Sequence, residues 1–157
     1  MYWWGGRAQL TEDQYVTTYS VSERSILDPD ALVVLTYNLG WMSGMTNNLP
    51  IARTDSMYKS HLQQVKHILR QIDPHILGLQ EVDFKSRRSR YWQQADSLSD
   101  ALHIPFRANA VNWDKRYVPF PYWPPSLQFG AMLSGQSTLS QLPILDHKRE
   151  VLPMPPQ

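Results

Sequence analysis

The chain has 157 residues, 42% of them hydrophobic, and 15 Lys and Arg against 14 Asp and Glu give it a net charge of +1. That length suits one domain with a core, and the near-zero charge argues against general binding to polyanions or anionic membranes. No cysteine is present, which excludes a disulfide framework and thiol chemistry; no apolar run is long enough to span a bilayer, and Met1-Tyr2-Trp3-Trp4-Gly5-Gly6 lacks the basic start and apolar core of a secretion signal, so a cytoplasmic location is the default expectation.

Residues 1–30 form an N-terminal extension in which Val16-Thr17-Thr18-Tyr19-Ser20-Val21 reads as a strand by its β-branched content. Asp28-Pro29-Asp30 reads as a turn. The apolar run Val33-Val34-Leu35-Thr36-Tyr37-Asn38 predicts a buried strand ending in a polar side chain, and a loop from Gly40 to Asp55 follows, with Gly44 and Asn47-Asn48 as turn formers. From Ser56 to Gln71 the positions Met57, Leu62, Val65, Ile68, Leu69 and Ile72 recur near helical spacing, with Lys59, Gln63, Gln64, Lys66 and Arg70 on the outer face. His61 and His67 lie off the main apolar face of that helix and read as surface residues. Asp73-Pro74 stops it, and Ile76-Leu77-Gly78-Leu79-Gln80-Glu81 is a second buried strand.

Further along, Tyr91 to Leu102 alternates Trp92, Ala95, Leu98 and Leu102 with polar residues as an amphipathic helix. Strands are predicted at Ile104 to Val111 and Gln128 to Leu133, with Thr138 to Leu142 and Lys148 to Leu152 completing a hairpin-like end. Tyr117-Val118-Pro119-Phe120-Pro121-Tyr122-Trp123-Pro124-Pro125 cannot be a helix or central strand, because each proline lacks a backbone donor; it is a stiff aromatic loop. Tyr117 and Trp123 then either wall a substrate cleft or cover the sheet edge. No internal repeat, Gly-rich phosphate loop or Cys/His zinc pattern occurs.

Strand, helix and strand make a βαβ-like unit. If the strands are parallel, the usual right-handed crossover leaves both C-terminal ends at one sheet edge, where Asn38 and Glu81 can meet. Arg87, Arg88 and Arg90 follow the second strand and either clamp a phosphate or form a solvated basic turn. Asn109 and Asn112 flank the aromatic loop, within reach of a substrate or as ordinary loop residues.

Four passages resemble the endonuclease/exonuclease/phosphatase superfamily, the DNase I-like group. Leu35-Thr36-Tyr37-Asn38-Leu39-Gly40-Trp41 looks like its opening motif, and Asp73-Pro74-His75-Ile76-Leu77-Gly78-Leu79-Gln80-Glu81-Val82-Asp83 like its glutamate motif. Arg87-Arg88-Ser89 with Gln93-Gln94 is similar to a downstream segment of the bacterial branch, and Gly135-Gln136-Ser137-Thr138-Leu139-Ser140-Gln141-Leu142-Pro143-Ile144 to a family strand pair. The resemblance covers about Leu32 to Leu152.

It implies the N-terminal half of a DNase I-like α/β sandwich, a mixed sheet with helices on one face, as a partial domain over 31–152 with a Pro-rich tail at 153–157. By resemblance Glu81 is a direct magnesium ligand, with manganese as a substitute, and Asn38 helps organise metal and phosphate; by their own chemistry and position Arg88, Asn112, Tyr117 and Trp123 are candidate contacts to a phosphate-ester substrate. Magnesium suits such oxygen donors.

The family continues into a second half with a strand-end His, an Asp-x-Asn pair and a terminal Asp-His pair, and this chain stops first. Asp146-His147 spells the last dipeptide but directly follows the Pro-Ile passage, too early to stand in for it. A truncated product, a natural half that pairs with another chain, and a fragment that no longer catalyses all fit. Each leaves an exposed apolar sheet face open to self-association or a complementary chain. The alternative is a non-catalytic interaction module using the sheet and the aromatic loop. A nucleic-acid binder using the arginines with Trp92 and Trp113 is disfavoured by the charge.

Overall fold

Apolar runs with strand periodicity become one mixed sheet in the computed structural model, which describes residues 2–21, 30–47 and 49–153. The strands are β1 (Val16–Ser20), β2 (Val34–Asn38), β3 (Ile76–Asp83), β4 (Phe106–Val118) and β5 (Gly130–Ser140), in the order β1-β4-β5-β3-β2. The β2–β3 pair is parallel and the others are antiparallel. Helices α2 (Asp55–Ile72) and α3 (Gln94–Leu102) supply the helical layer, and a single turn, α1 (Tyr2–Gly5), precedes β1. The fold is α/β with a mixed sheet. The Asp28-Pro29 part of the expected turn and Asn48 of the expected Asn47-Asn48 turn lie outside the described residues.

Local chemistry sets the ends of α2. The Thr54 hydroxyl accepts from the Met57 N–H at 3.3 Å, and Asp55 sits in the first turn, where a negative charge suits the helix dipole. At the other end Asp73 takes a left-handed conformation (φ 48°) and Pro74 forbids continuation. Tyr58, Leu62 and Leu69 of α2 are buried, and they meet Ala95 and Leu98 of α3 and the alternate residues Leu77, Leu79 and Leu139 of the sheet. Ile68 and Ile72, expected on that apolar face, are instead exposed.

The expected loop from Gly40 to Asp55 begins with a tight turn, Gly40–Met42, that buries Trp41 and Met42 in this core. Buried Gln94 fastens that turn to β3: its amide donates to the Trp41 carbonyl at 2.8 Å and its oxygen accepts from the Asp83 N–H at 2.9 Å. At the N-terminal side the Asp114 carboxylate accepts from the Gln9 and Leu10 N–H groups at 2.8 and 2.7 Å, tying that segment to β4.

Five expectations need correction. The strand ending in Asn38, expected to be buried, is the edge strand β2 and is largely exposed. The stretch from Tyr117, expected to be loop throughout, begins inside the sheet, because β4 runs on to Val118 before the first proline of that segment. The strands predicted at Gln128 to Leu133 and Thr138 to Leu142 are one continuous β5. A Cβ at Gly135 would lie 2.0 Å from the Ala110 carbonyl oxygen, so glycine there permits the close approach of β4 at its irregularity between Val111 and Trp113. Lys148 to Leu152 forms no strand; this segment is irregular and returns to β1, with the Arg149 guanidinium 5.3 Å from the Tyr15 ring centre. The sheet face away from the helices is also less apolar than expected. Across β2, β3 and the adjoining part of β5, it exposes Thr36, Gln136 and Thr138, with Val34 as its exposed apolar member.

Candidate functional site

The parallel pairing of β2 and β3 sets Asn38 opposite Gln80, one residue before Glu81. Here β3 leaves regular register between Leu79 and Val82, and Glu81 takes φ 51°. A left-handed residue other than glycine is strained, and a bulge of this kind re-aims a side chain out of the strand's alternation. The consequence is visible in burial. Leu79 and Val82 point into the core, while Glu81 between them is exposed at the sheet edge.

Asn38 holds that carboxylate. Its Nδ2 donates to Glu81 Oε1 at 3.0 Å, and its Oδ1 accepts from the Gly40 N–H at 2.9 Å. The turn that buries Trp41 therefore also orients the Asn38 amide. Asn38 uses its oxygen on the backbone and its amino group on Glu81, so its direct role is to position the carboxylate. Among the described residues no Lys, Arg or His nitrogen lies within 4.0 Å of a Glu81 oxygen.

Glu81 and Asn38 open onto a cavity of about 640 Å³ whose walls include Arg88, Asn112, Trp113 and Phe129. Arg88 is fixed by the fully buried Asp83, with Nε–Oδ2 at 3.0 Å and Nη2–Oδ1 at 2.9 Å. Its guanidinium centre also lies 4.7 Å from the Trp41 ring and 5.1 Å from the Phe129 ring. One edge of its fork is thus committed to Asp83, and Arg88 is a pinned wall of the cavity rather than a mobile clamp. Asn112 sits at the β4 irregularity and is exposed to the cavity.

Of the sequence-predicted residues, Asn38, Glu81, Arg88 and Asn112 are brought together. Tyr117 and Trp123 are not. The Tyr117 hydroxyl donates to Gln128 Oε1, and its ring lines a neighbouring hollow beside Val118 and Trp113. Trp123 is 78% exposed at the loop tip and Tyr122 is 74% exposed, while Val118 and Phe120 are the members of this segment that wall the Glu81 cavity. The Phe120-Pro121 and Trp123-Pro124 bonds are cis, and the Phe129 N–H donates to the Phe120 carbonyl at 2.7 Å.

Sequence reasoning missed Asp83 as the anchor of Arg88, although it stood in the quoted glutamate motif, and gave no role to Gln80, Phe129 or Gln136, which also line the cavity. Neither Asp146 nor His147 does so. His61, read as a surface residue, places Nδ1 2.9 Å from the Met42 carbonyl oxygen and its ring over Gly44.

The donor set of the cavity is one carboxylate with the amide oxygens of Gln80, Asn112 and Gln136. These are hard oxygen donors, and magnesium is commonly held by one or two carboxylates with waters and substrate oxygens completing the shell. The chemistry of the donors fits that ion, with Glu81 as the anchoring group. Among the described residues, no group of three or more His, Cys, Asp or Glu is placed to hold a metal. No described helix is long and apolar enough to cross a membrane.

These features define a mixed α/β protein whose parallel strand pair presents a strained, amide-held carboxylate at the mouth of a cavity. No protein-family model, curated protein or solved structure matches the chain.

Proposed function

We propose that this chain is the N-terminal portion of a magnesium-dependent phosphoesterase domain of the endonuclease/exonuclease/phosphatase, DNase I-like type, with Glu81 as metal anchor and a phosphate ester as substrate. What supports it is that the glutamate singled out in the motif is the β3 residue forced into a left-handed bulge (φ 51°) and held by the asparagine of the preceding parallel strand at 3.0 Å. Strain of that kind concentrates at functional positions.

Magnesium, or manganese in its place, would supply charge to a phosphoryl oxygen and to the leaving oxygen. The chain's own residues do the rest of what it can do. Asn38 fixes the direction of the carboxylate, Asn112 offers an amide to a substrate oxygen, and Trp113, Phe120 and Phe129 provide apolar walls for an organic group. Glu81 is the one carboxylate lining this cavity and no imidazole lines it; Glu81 and Asn38 also line a second hollow beside His61, whose Nδ1 is turned to the Met42 carbonyl, so on the Trp113 side a proton acceptor for attacking water must come from a further group. Hydrolysis by this chain alone is therefore expected to be slow or nil, and metal binding is the sharper test. Manganese titration followed by water-proton relaxation should show a site that Glu81→Gln weakens about tenfold or more, the removal of a charged ligand being worth at least ~1.4 kcal/mol. Equal binding by wild type and variant would overturn the assignment.

A second reading, a non-catalytic interaction module, is favoured by the exposed Tyr122 and Trp123 at the aromatic loop tip. Partner capture that survives Glu81→Gln and is lost in Trp123→Ala would favour it. Magnesium-dependent phosphodiester hydrolysis lost in Glu81→Gln would sink it.

A further inference from the structure

The arginines after β3 build a second hollow that the Glu81 cavity does not explain. Arg87–Ser89 form a single tight turn, and Arg90 closes it in a left-handed conformation, φ 62°. This turn, the segment 51–53 and the turn Pro125–Leu127 enclose about 420 Å³, lined by Arg53, Arg87, Arg88 and Arg90 together with Tyr91, Ser126 and Gln128. No Asp or Glu lines it.

Two of the four charges are balanced behind the wall, Arg88 by Asp83 at 2.9 Å and Arg90 by Asp55 at 2.6 Å. The other two are not. Arg53 is held by neutral oxygens: its Nε donates to the Thr46 hydroxyl at 3.0 Å, its Nη1 to the Ile51 carbonyl at 3.3 Å, and its Nη2 to the carbonyls of Leu49, at 3.1 Å, and Thr46, so it brings its charge and one remaining Nη1 N–H to the hollow. Its guanidinium centre lies 4.5 Å from the Trp41 ring. Arg87 is exposed and runs across Gly130, where a Cβ would come within 2.6 Å of Arg87 Cδ; the glycine makes room for it. Among the described residues neither Arg53 nor Arg87 has a carboxylate within 4.0 Å. The hollow thus gathers two uncompensated cations in a chain whose whole net charge is +1. Burial lowers the Arg53 pKa, and repulsion from Arg88 acts in the same direction.

Like charges kept together without a counter-charge are unfavourable unless something anionic joins them. Guanidinium forks match the oxygens of a tetrahedral oxyanion, and the Ser126 hydroxyl and Gln128 amide add neutral donors at the rim. We propose that this hollow is a phosphate-binding site, formed by Arg87 and Arg53 with Arg90 held at its rim by Asp55, and separate from the Glu81 cavity, with which it shares the Arg88 and Phe129 wall. It requires neither a metal nor Glu81.

The test is an NMR-monitored titration of the full chain with inorganic phosphate in the absence of divalent metal, repeated with Arg87→Gln and Glu81→Gln. Arg87 is exposed, so Arg87→Gln leaves the fold intact. Saturable shifts confined to residues around the hollow, weakened about tenfold or more in Arg87→Gln and unchanged within about twofold in Glu81→Gln, are expected. No saturable shift, equal binding in Arg87→Gln, or loss of binding in Glu81→Gln would overturn it. A parallel titration with a short oligothymidylate separates the sources of the phosphate: tighter binding than inorganic phosphate, with the same Arg87 dependence, assigns the site to a nucleic-acid backbone, and weaker binding assigns it to a free phosphate or small ester.

Discussion

Replacing Glu81 by alanine and by glycine isolates the backbone strain at the bulge from the side chain's interactions. Both substitutions remove the carboxylate and its hydrogen bond to Asn38, so that loss cancels in the comparison. What differs is the cost of φ 51°, which is roughly 1–2 kcal/mol for an L-residue with a Cβ and close to nothing for glycine. The unfolded chain takes back part of this, because glycine has about 0.5–1 kcal/mol more backbone freedom to lose. Glu81→Gly should therefore be at least as stable as Glu81→Ala, by roughly 0–1.5 kcal/mol, or up to about 6 °C in Tm for a chain of this size. In an ordinary strand the order is the reverse, with glycine the worse by roughly 0.5–1 kcal/mol. Urea denaturation of the two variants with a shared m-value measures the difference. Alanine more stable than glycine by the roughly 0.5–1 kcal/mol of an ordinary strand would refute a strained left-handed Glu81, and with it the physical reason for singling out this residue.

Other outcomes follow from the same structure. Asp83→Ala strands the Arg88 cation beside Trp41 and Phe129, and should cost about 3–5 kcal/mol by chemical denaturation, whereas Asp83→Leu combined with Arg88→Met should cost less than the single change. Gly135→Ala drives a Cβ against the Ala110 carbonyl, and a loss of roughly 1–3 kcal/mol is expected; an unchanged Tm would mean β4 and β5 are not so close. Burial, with Asp83 nearby, pushes the Tyr58 phenol up to about 12 from 10.0. Its folded pKa lies above the unfolded one, so its stabilisation is complete below pH 10 and is lost as pH rises towards 12, by up to ~1.4 kcal/mol per pH unit. Stability curves of Tyr58→Phe should lack this slope.

Much of what positions the candidate site was legible because it depends on strong periodic signals. Two apolar runs separated by one amphipathic helix leave few topologies, and the parallel pairing of β2 and β3 that brings Asn38 to Glu81 follows from the crossover. What the pattern does not carry is the sign of one φ angle. Nothing in Leu79-Gln80-Glu81-Val82 marks a bulge, since no glycine stands there; the strain is imposed by the pairing with Gly135 and Ser137 of β5, contacts far along the chain. The role of Gly135 is hidden for a related reason: an isolated glycine has many local readings, and the Ala110 carbonyl whose approach it permits is 25 residues away. Trp41 and Met42 are core residues on a turn without periodicity, and Arg88 belongs to Asp83 through a bent chain that local spacing does not reveal.

The charges explain why these two hollows favour opposite ligands. Near the cavity, Arg88 is neutralised by Asp83, which leaves the Glu81 carboxylate, held only by an amide, as the charge without a counter-ion. On the other side of Arg88 and Phe129, Arg53 and Arg87 are the cations without one. A metal ion would relieve the first and a phosphate the second, and only the shared wall lies between them. Occupation of both should therefore be favourable together rather than competitive, because bound phosphate offsets the arginine charge that opposes a cation in the neighbouring cavity, and bound metal offsets the Glu81 charge that opposes an anion in the hollow. Manganese titration of the phosphate-saturated chain should give a midpoint equal to or lower than that of the phosphate-free chain at matched ionic strength. A higher midpoint, after correction for manganese bound to free phosphate, would mean that the two ligands compete for one site.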